Sequence, residues 1–545
     1  MFVPELRPWR AARPHAVRVV NAVRPGLARA AGAVRPHLTR AVDAVRPWLV
    51  RAVAAAKPQF ARITRPKPGG LRRYTAGATG AGVALAVLVV VTAGPWDSTG
   101  QRTAERDRAA ALDGTGGADH GGHSGASGTA DSAPDPAPSA ASVLRGLGGA
   151  ANTVKSDPAG KAFADVLGPL LTDPALGARR TAAVVDVTDG KRLYGTGADE
   201  ALTPASTTKI ATAVAALSAM GADHRLTTRT ALEPDTGELV LVGGGDPTLT
   251  ARKDAEGWAS LRTLADRTAT ALKKRGIHEV TLSYDTTLFA GSELHPIGVD
   301  GNLALVTSLM ADEGRPNDST SGPVTRDTDP AGDAAEKFAA FLAEHGIRTT
   351  SPGPSKATSR AKALAAVSSP PLSSIVERML TNSDNDIAEA LARQTAVATG
   401  KRADFDGGAA AIASVLKKLG LPLKGARFND GSGLDRDDRL TADLLTALLV
   451  KAGDPAHPEL RAVLTGLPVA GFTGTLSTRY ADGAAGVVRA KTGTLTGVNT
   501  LAGTVVDRDG HLLAFAFLTS DTPSTSAAQS ALDRTATALA GCGCH

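Results

Sequence analysis

The tetrapeptide Ser206-Thr207-Thr208-Lys209 is the stretch that most constrains the fold of this chain. It follows Pro204 and begins a run with apolar residues at helical spacing, which predicts a helix from Ser206 to Met220. Residues three apart share one helical face, so the Lys209 amine can reach the Ser206 hydroxyl. The positive end of the helix and nearby cations are expected to lower the pKa of Lys209, so that its neutral amine acts as a base.

The S-x-x-K pattern is short, and it occurs twice more in the chain. Ser359–Lys362 lies in a Pro/Ser-rich stretch without apolar periodicity. Ser414–Lys417 falls inside a predicted helix, where a serine has no exposed turn from which to attack. The pattern alone therefore does not single out a nucleophile.

Two further motifs follow Ser206 in the sequence. Ser383-Asp384-Asn385 is the only S-x-N of the chain and precedes a predicted helix, so its hydroxyl and carboxamide can point into a cleft. Lys491-Thr492-Gly493 is the only K-T-G and ends a β-branched stretch, where a lysine and a hydroxyl can bind a carboxylate. The three motifs in this order are the set found in penicillin-recognising serine enzymes.

The sequence resembles the low-molecular-mass class C penicillin-binding proteins, which are D-alanyl-D-alanine carboxypeptidases and endopeptidases. Other stretches strengthen the resemblance, among them Gly243–Leu249, Asp430–Leu434 and Leu467–Gly471. The resemblance implies an α/β (α+β) transpeptidase fold like that of β-lactamases, with an antiparallel sheet flanked by helices. The long separation between the first two motifs implies an inserted α/β region at 222–365, within a peptidase domain at 143–221 and 366–545.

The resemblance also assigns roles to residues. It makes Ser206, Lys209 and Ser383 catalytic, and Asn385, Lys491, Thr492, Gly493 and Thr494 substrate-binding. Ser206 is expected to be acylated with Lys209 as its base, and the backbone N–H groups of Ser206 and Thr494 to form the oxyanion hole. The implied substrates are peptidoglycan stem peptides ending in D-Ala-D-Ala, with β-lactams as covalent inhibitors and no cofactor.

The net charge of +6 is concentrated at one end of the 545-residue chain. Residues 1–73 carry 16 Lys/Arg against only Glu5 and Asp43, which leaves the remainder net acidic and argues against nucleic-acid binding. An Arg/Lys-Pro pair recurs every 11 residues, at Arg13, Arg24, Arg35, Arg46 and Lys57. This repeat is either a set of short basic helices on an anionic membrane face or a disordered tail.

An uncharged run from Thr75 to Gly94 predicts one transmembrane helix at 74–96. The preceding basic residues predict a cytoplasmic N-terminus and an extracytoplasmic catalytic domain, joined by a disordered linker at 97–142 rich in Gly, Ser, Ala, Asp and Pro. Cys542 and Cys544, with His545, offer at most three ligands at a chain end, so no metal is expected.

Two other functions remain open on the same motifs. A serine β-lactamase uses the same acylation residues and differs in how fast the acyl-enzyme hydrolyses. A non-catalytic β-lactam-sensing or wall-binding receptor is acylated once without turnover. A Ser-His-Asp hydrolase is disfavoured because the nearest nucleophile-elbow match, Gly122–Ala126, lacks its final glycine and falls in the linker.

Overall fold

The computed structural model describes residues 159–298, 301–480 and 483–543. The predicted repeat region at 1–73, transmembrane helix at 74–96 and linker at 97–142 lie outside these residues. Within the described ranges, no helix has both the length and the apolar character needed to cross a bilayer.

The described part contains ten α-helices. They are α1 (Ala159–Leu171), α2 (Thr208–Met220), α3 (Leu261–Lys273), α4 (Pro330–Glu344), α5 (Leu372–Asn382), α6 (Asn385–Ala398), α7 (Phe405–Lys418), α8 (Ala442–Gly453), α9 (Arg461–Thr465) and α10 (Thr525–Ala540). Short 3₁₀ turns lie at Pro174–Leu176, Ala205–Thr207, Asp312–Gly314, Pro458–Leu460 and Gly474–Leu476.

Twelve strands complete the described elements. They are β1 (Arg179–Asp186), β2 (Arg192–Thr196), β3 (Thr227–Leu232), β4 (Leu239–Val242), β5 (Glu279–Val280), β6 (Leu282–Asp285), β7 (Arg348–Thr349), β8 (Gly353–Pro354), β9 (Lys362–Ser368), β10 (Val488–Leu495), β11 (Val498–Val506) and β12 (Leu512–Ser520).

The first sheet has the strand order β10-β11-β12-β1-β2, and all its pairs are antiparallel, as predicted. Successive residues of a strand face opposite sides of a sheet. Phe515 and Phe517 therefore pack with the apolar residues of α1 and α10, while Ala514, Ala516 and Leu518 pack with those of α2 and α8. Both faces of the sheet are covered by helices, and β10 lies at its edge.

The second sheet has the strand order β8-β6-β4-β3-β9 and packs against α3 and α4. Strands β4 and β6 are parallel because α3 carries the chain back between them. Its strands run from Thr227 to Ser368, so the last one continues beyond residue 365, where the inserted region was expected to end. This sheet and its helices interrupt the chain between the first and second sequence motifs.

Helix α2 starts later than predicted and is more completely buried than its pattern indicated. It begins at Thr208, and Ser206 lies in the 3₁₀ turn before it. Its apolar residues at helical spacing, Ile210, Val214 and Leu217, predict a buried stripe, and every residue from Thr208 to Leu217 is buried. These three residues are buried as predicted, and burial extends to the rest of the helix because α2 is enclosed by the first sheet on one side and by α6 and α7 on the other. A helix buried all round has no polar face.

Candidate active site

Ser206 is held on a strained turn between Pro204 and α2. Ala205 has φ 48°, a left-handed conformation that costs a non-glycine residue free energy and persists only when its surroundings enforce it. Ala205 is fully buried, whereas Ser206 is half-buried and faces a cleft. The turn thus presents the Ser206 hydroxyl at the surface of an otherwise buried segment.

The Lys209 amine makes three hydrogen bonds, and no part of its side chain is exposed. It donates to Ser206 Oγ at 3.0 Å, to Asn385 Oδ1 at 2.6 Å and to the Ser432 carbonyl at 2.7 Å. These contacts fix the amine from three directions. They place it where it can take the Ser206 proton once it is neutral.

Burial lowers the pKa of Lys209 to about 8. The carboxylates of Asp430, Glu389, Asp384 and Asp386 act in the opposite direction and raise it. The sequence predicted a lowered pKa and named the helix end and nearby cations as the cause, whereas burial is the largest cause and the acidic neighbours oppose it. At pH 7 roughly one lysine in ten is neutral.

The Ser383-Asp384-Asn385 motif forms the junction between α5 and α6. Ser383 ends α5 in a left-handed conformation with φ 58° and ψ 40°. The Asp384 carboxylate caps α6 by accepting the Ile387 N–H at 3.0 Å, and Asn385 is the first residue of that helix. Ser383 lines the same cleft as Ser206, but among the described contacts its hydroxyl has no hydrogen bond to Ser206 or Lys209.

The inserted region fixes the Asn385 side chain. Asn385 Nδ2 donates to the Asn302 carbonyl at 3.0 Å while its Oδ1 accepts from Lys209. The neighbouring Asp386 carboxylate accepts from Arg326 at 2.6 Å and from the Ala304 N–H at 2.8 Å. Residues of the insertion therefore help to orient the start of α6, a contribution that motif spacing did not predict.

Lys491-Thr492-Gly493 lies in the middle of β10, not at its end as the sequence suggested. Lys491 is fully buried, and its amine donates to the Thr492 carbonyl at 2.8 Å. Thr492 Oγ1 donates to Thr475 Oγ1 at 2.9 Å. A Cβ at Gly493 would lie 2.7 Å from the Pro204 carbonyl oxygen, so glycine allows β10 to approach the nucleophile turn.

The outer edge of β10 carries backbone donors that face the cleft. Ala490 donates its N–H to the Pro468 carbonyl at 3.0 Å, on the side away from β11. Backbone N–H groups alternate in direction along an antiparallel strand, so those of Thr492 and Thr494 face the same side. The Thr494 hydroxyl accepts from Gln529 Nε2 at 3.3 Å.

The motifs meet at one cleft of about 740 Å³. Its walls include Ser206, Ser383, Asn385, Thr492 and Thr494, together with Asn302, Arg315 and Arg326 from the inserted region and Arg436, Thr475 and Gln529 from the peptidase domain. Lys209, Lys491 and Gly493 are buried behind these walls. Every predicted site residue therefore lies at the cleft or directly beneath its surface.

Three clusters of described residues bring potential metal ligands together. They are His295 with Glu389 and Asp430, Glu313 with Asp384 and Asp386, and Asp507 with Asp509 and His511. In the first, both Asp430 oxygens accept backbone N–H groups, and Glu389 accepts the Ser432 N–H at 2.8 Å. Because these carboxylate oxygens already accept hydrogen bonds, we interpret the cluster as a support for the backbone of residues 432–435.

The geometry defines a class of enzyme. A serine on a strained turn, a lysine of lowered pKa in contact with it, and a strand edge with outward-facing N–H groups are the parts needed for acyl transfer through a covalent serine ester. The site therefore has the parts of a serine acyl-transfer enzyme.

Comparisons with known proteins identify the family. The chain matches the D-Ala-D-Ala carboxypeptidase 3 (S13) family over residues 164–298 and 313–539. It is 36% identical to Carboxypeptidase DacB of Mycolicibacterium smegmatis over 404 residues, which is 71% of this chain and 85% of that protein. It is 31% identical to a D-alanyl-D-alanine carboxypeptidase of an Actinomadura species, over 63% of this chain and 78% of that protein.

A solved structure shares the fold. Penicillin binding protein 4 (dacB) of Haemophilus influenzae matches with a TM-score of 0.57 at 21% identity, over 69% of this chain and 97% of that one. The chain belongs to the D-Ala-D-Ala carboxypeptidase 3 (S13) family, whose members are serine peptidases. The predicted membership in the penicillin-binding D-Ala-D-Ala carboxypeptidases, and the prediction of a serine peptidase, are confirmed.

Proposed function

We propose that this enzyme removes the terminal D-Ala from peptidoglycan stem peptides in two steps, with Ser206 as the nucleophile and Lys209 as its base. The observation that carries the assignment is the 3.0 Å contact between Lys209 Nζ and Ser206 Oγ, made by a fully buried lysine of lowered pKa. Neither decoy serine has this environment, since Ser414 lies within α7 and Ser359 in a turn before β9.

In the first step neutral Lys209 accepts the Ser206 proton while Oγ attacks the carbonyl of the penultimate D-Ala. The N–H groups of Ser206 and Thr494 stabilise the oxyanion, and the C–N bond breaks as the terminal D-Ala leaves with the proton. Ser383 borders the cleft at a position suited to relay that proton to the leaving amine. Water then attacks the ester and frees Ser206.

The substrate termini fit the two sides of the cleft. Lys491, Thr492 and Gly493 lie on the edge strand, where a lysine and a hydroxyl can hold the carboxylate of the terminal D-Ala. The Asn385 amide has a second N–H beyond the one it donates to Asn302, and this N–H can donate to a carbonyl of the stem peptide. A β-lactam places its own carboxylate and carbonyl in the same positions and acylates Ser206.

Mass spectrometry after penicillin treatment tests the nucleophile. We expect one adduct on the peptide containing Ser206, none in Ser206→Ala, and an unchanged adduct in the matched control Ser414→Ala. Release of D-Ala should fall at least about 10³-fold in Ser206→Ala. An adduct that persists in Ser206→Ala contradicts the assignment.

Digestion of purified muropeptides separates the possible activities. Loss of D-Ala from pentapeptides indicates a carboxypeptidase, and cleavage of cross-links indicates an endopeptidase. Rapid hydrolysis of a chromogenic β-lactam without D-Ala release identifies the β-lactamase alternative, and a stable adduct without either turnover identifies the receptor. The proposal expects D-Ala release.

The uncharged run Thr75–Gly94 after a strongly basic segment supports a single membrane anchor with the catalytic domain outside the cell. The substrate is found on that side of the membrane. We expect the full chain to sediment with membranes and to be digested by protease added to spheroplasts. A variant without residues 1–96 should be released into solution with unchanged D-Ala release, whereas membrane retention of that variant would refute the anchor.

A further inference from the structure

Residues Asp430–Asp435, here called the Asp430 loop, lie against the buried side of Lys209. The Ser432 carbonyl accepts the Lys209 amine at 2.7 Å, and the Gly431 carbonyl accepts Thr212 Oγ1 at 2.6 Å. Gly433 has φ 80°, and a Cβ there would lie 2.0 Å from the Ala205 carbonyl oxygen. The loop is therefore packed directly against the nucleophile turn, and its shape decides where the Ser432 carbonyl points.

Two buried carboxylates set that shape: Glu389 accepts the Ser432 N–H at 2.8 Å, and Asp430 holds the part of the loop that follows. Asp430 Oδ1 accepts the Gly433 N–H at 2.6 Å, and its Oδ2 accepts the Asp435 N–H at 2.7 Å. These bonds pull the backbone of the loop around one buried carboxylate. The Ser432 carbonyl and the Gly433 N–H belong to one planar peptide unit and point in opposite directions. Because Asp430 Oδ1 holds that N–H, the direction of the Ser432 carbonyl follows the position of Asp430.

His295, which belongs to the inserted region, holds the same carboxylate. His295 Nε2 lies 3.1 Å from Asp430 Oδ2, and His295 Nδ1 accepts the Ile297 N–H at 3.2 Å. The bond at Nδ1 requires an unprotonated nitrogen in the neutral ring, so Nε2 carries the hydrogen and donates to Asp430. Only 2% of His295 is exposed, and its ring packs edge-on against Phe405 at 4.9 Å.

We propose that His295 is a positioning residue for Lys209, acting through Asp430 and the Ser432 carbonyl. His295 thus links the inserted region to Lys209 through hydrogen bonds and does not contact the substrate. Loss of the Nε2 donor lets Asp430 shift, which turns the Ser432 carbonyl away from the Lys209 amine. The amine is then held by two partners in place of three and drifts from Ser206 Oγ.

The charges around His295 fix the sign of the expected pH effect. Asp430 and Asp435 act on the ring from the loop, and Glu389 acts on it from α6. Arg393 of α6 lies over the ring of Phe405, which packs against His295. Burial by itself lowers the pKa of His295, but the bond to Asp430 and the charges of Glu389 and Asp435 outweigh burial and raise it. The ring thus favours the anionic form of Asp430, which in turn favours protonated Lys209.

The test compares His295→Leu, which removes the donor, with His295→Gln, which keeps an N–H near the Nε2 position. The measurement is the rate of acylation by penicillin per titratable site, followed with pH around the Lys209 value of about 8. His295→Leu should acylate roughly tenfold more slowly, and the acid limb of its profile should move to lower pH, because Lys209 loses a carbonyl acceptor. His295→Gln should recover most of the rate.

The control is His278→Leu, the same change at an exposed histidine of the inserted region, which should behave like wild type. An unchanged rate and limb in His295→Leu overturns the proposal. The proposal is also overturned if His295→Leu loses penicillin-reactive sites while the acid limb of its pH profile stays in place. That outcome would mean that His295 has a purely structural role.

Should His295→Leu fail to fold, Phe405→Leu takes its place, because it loosens the ring without removing the donor. The proposal is supported if Phe405→Leu acylates more slowly, though less so than expected for His295→Leu, and its acid limb moves to lower pH. An acid limb that stays in place overturns it.

The inference rests on the proposed role of Lys209. Failure of that role appears as normal acylation in Lys209→Met, whereas failure of this inference appears at His295 alone.

Discussion

The turn around Lys209 and the strand around Lys491 each bury a lysine completely, yet they surround it differently. Lys209 has two side-chain partners and a backbone carbonyl, with four acidic residues close enough to raise its pKa. Lys491 donates only to the Thr492 carbonyl and has no ion pair among the described residues. The same residue type is thus placed in two electrostatic settings a short distance apart.

The settings suit different tasks. Burial, with a smaller contribution from the charge of Lys209, holds the pKa of Lys491 well below its usual value. Lys491 lacks an anionic partner among the described residues. A carboxylate that reaches it supplies the opposite charge, so the strand is suited to bind a carboxylate. Around Lys209 the acidic residues offset part of the desolvation, which keeps the amine able to gain and lose a proton near neutral pH.

The largest effect is expected from Lys209→Met, which removes the base and keeps the length of the side chain. Acylation and D-Ala release should both fall by about 10²–10⁴-fold, the usual contribution of a general base. Stopped-flow acylation with a labelled penicillin measures it. Lys417→Met, the lysine of an exposed S-x-x-K decoy, is the matched control and should be normal. An equal loss of acylation in Lys209→Met and Lys417→Met would contradict the assignment of Lys209 as the base.

Lys491→Met should have the next largest effect, about 10–100-fold on kcat/KM and mainly through KM, because one charge-assisted contact is lost. A peptide ending in D-Ala-D-Ala and its C-terminal amide provide the comparison. Wild type should prefer the free carboxylate, and the variant should treat both alike. A variant that keeps the preference would show that Lys491 does not bind the carboxylate.

Glu389→Gln should have a smaller effect on rate and a clear effect on pH dependence. Burial, and next the charge of Asp430, raise the pKa of Glu389 to about 7, so above that pH its charge raises the pKa of Lys209. Without that charge the acid limb of acylation should move to lower pH, by less than about one unit. Glu336→Gln, at an exposed position, should leave the limb in place. A limb that moves to higher pH in Glu389→Gln would contradict the electrostatic account.

The sequence predicted the last strand at Leu512–Thr519 and the last helix at Ser524–Leu539. Both lie within one residue of the observed bounds of β12 and α10. In α2 the pattern predicted the buried stripe but not the burial of the other residues, because a helix enclosed on all sides has no polar face. The pattern also placed Lys491-Thr492-Gly493 at a strand end, since the strand continues through polar residues that tertiary pairing with β11 sustains.

The site was predicted only as far as its motifs extend. Ser206, Ser383 and Lys491 could be selected because their order and neighbours are uncommon together. His295 could not, since a lone histidine 135 residues before its partner carries no signal until the chain is folded. The Ser432 carbonyl was also missed, because any residue has a backbone carbonyl and only its direction makes it functional.

The sequence by itself determined which functional groups are available to the proposed chemistry and in what chain order, because a hydroxyl, an amine and a carboxamide are properties of residue type. The tertiary structure decided the state of those groups. Burial sets the pKa of Lys209, the Asp430 loop supplies its third partner, and the inserted region fixes both Asn385 and Asp430. Desolvation and direction depend on neighbours brought from distant parts of the chain, and no local pattern encodes them.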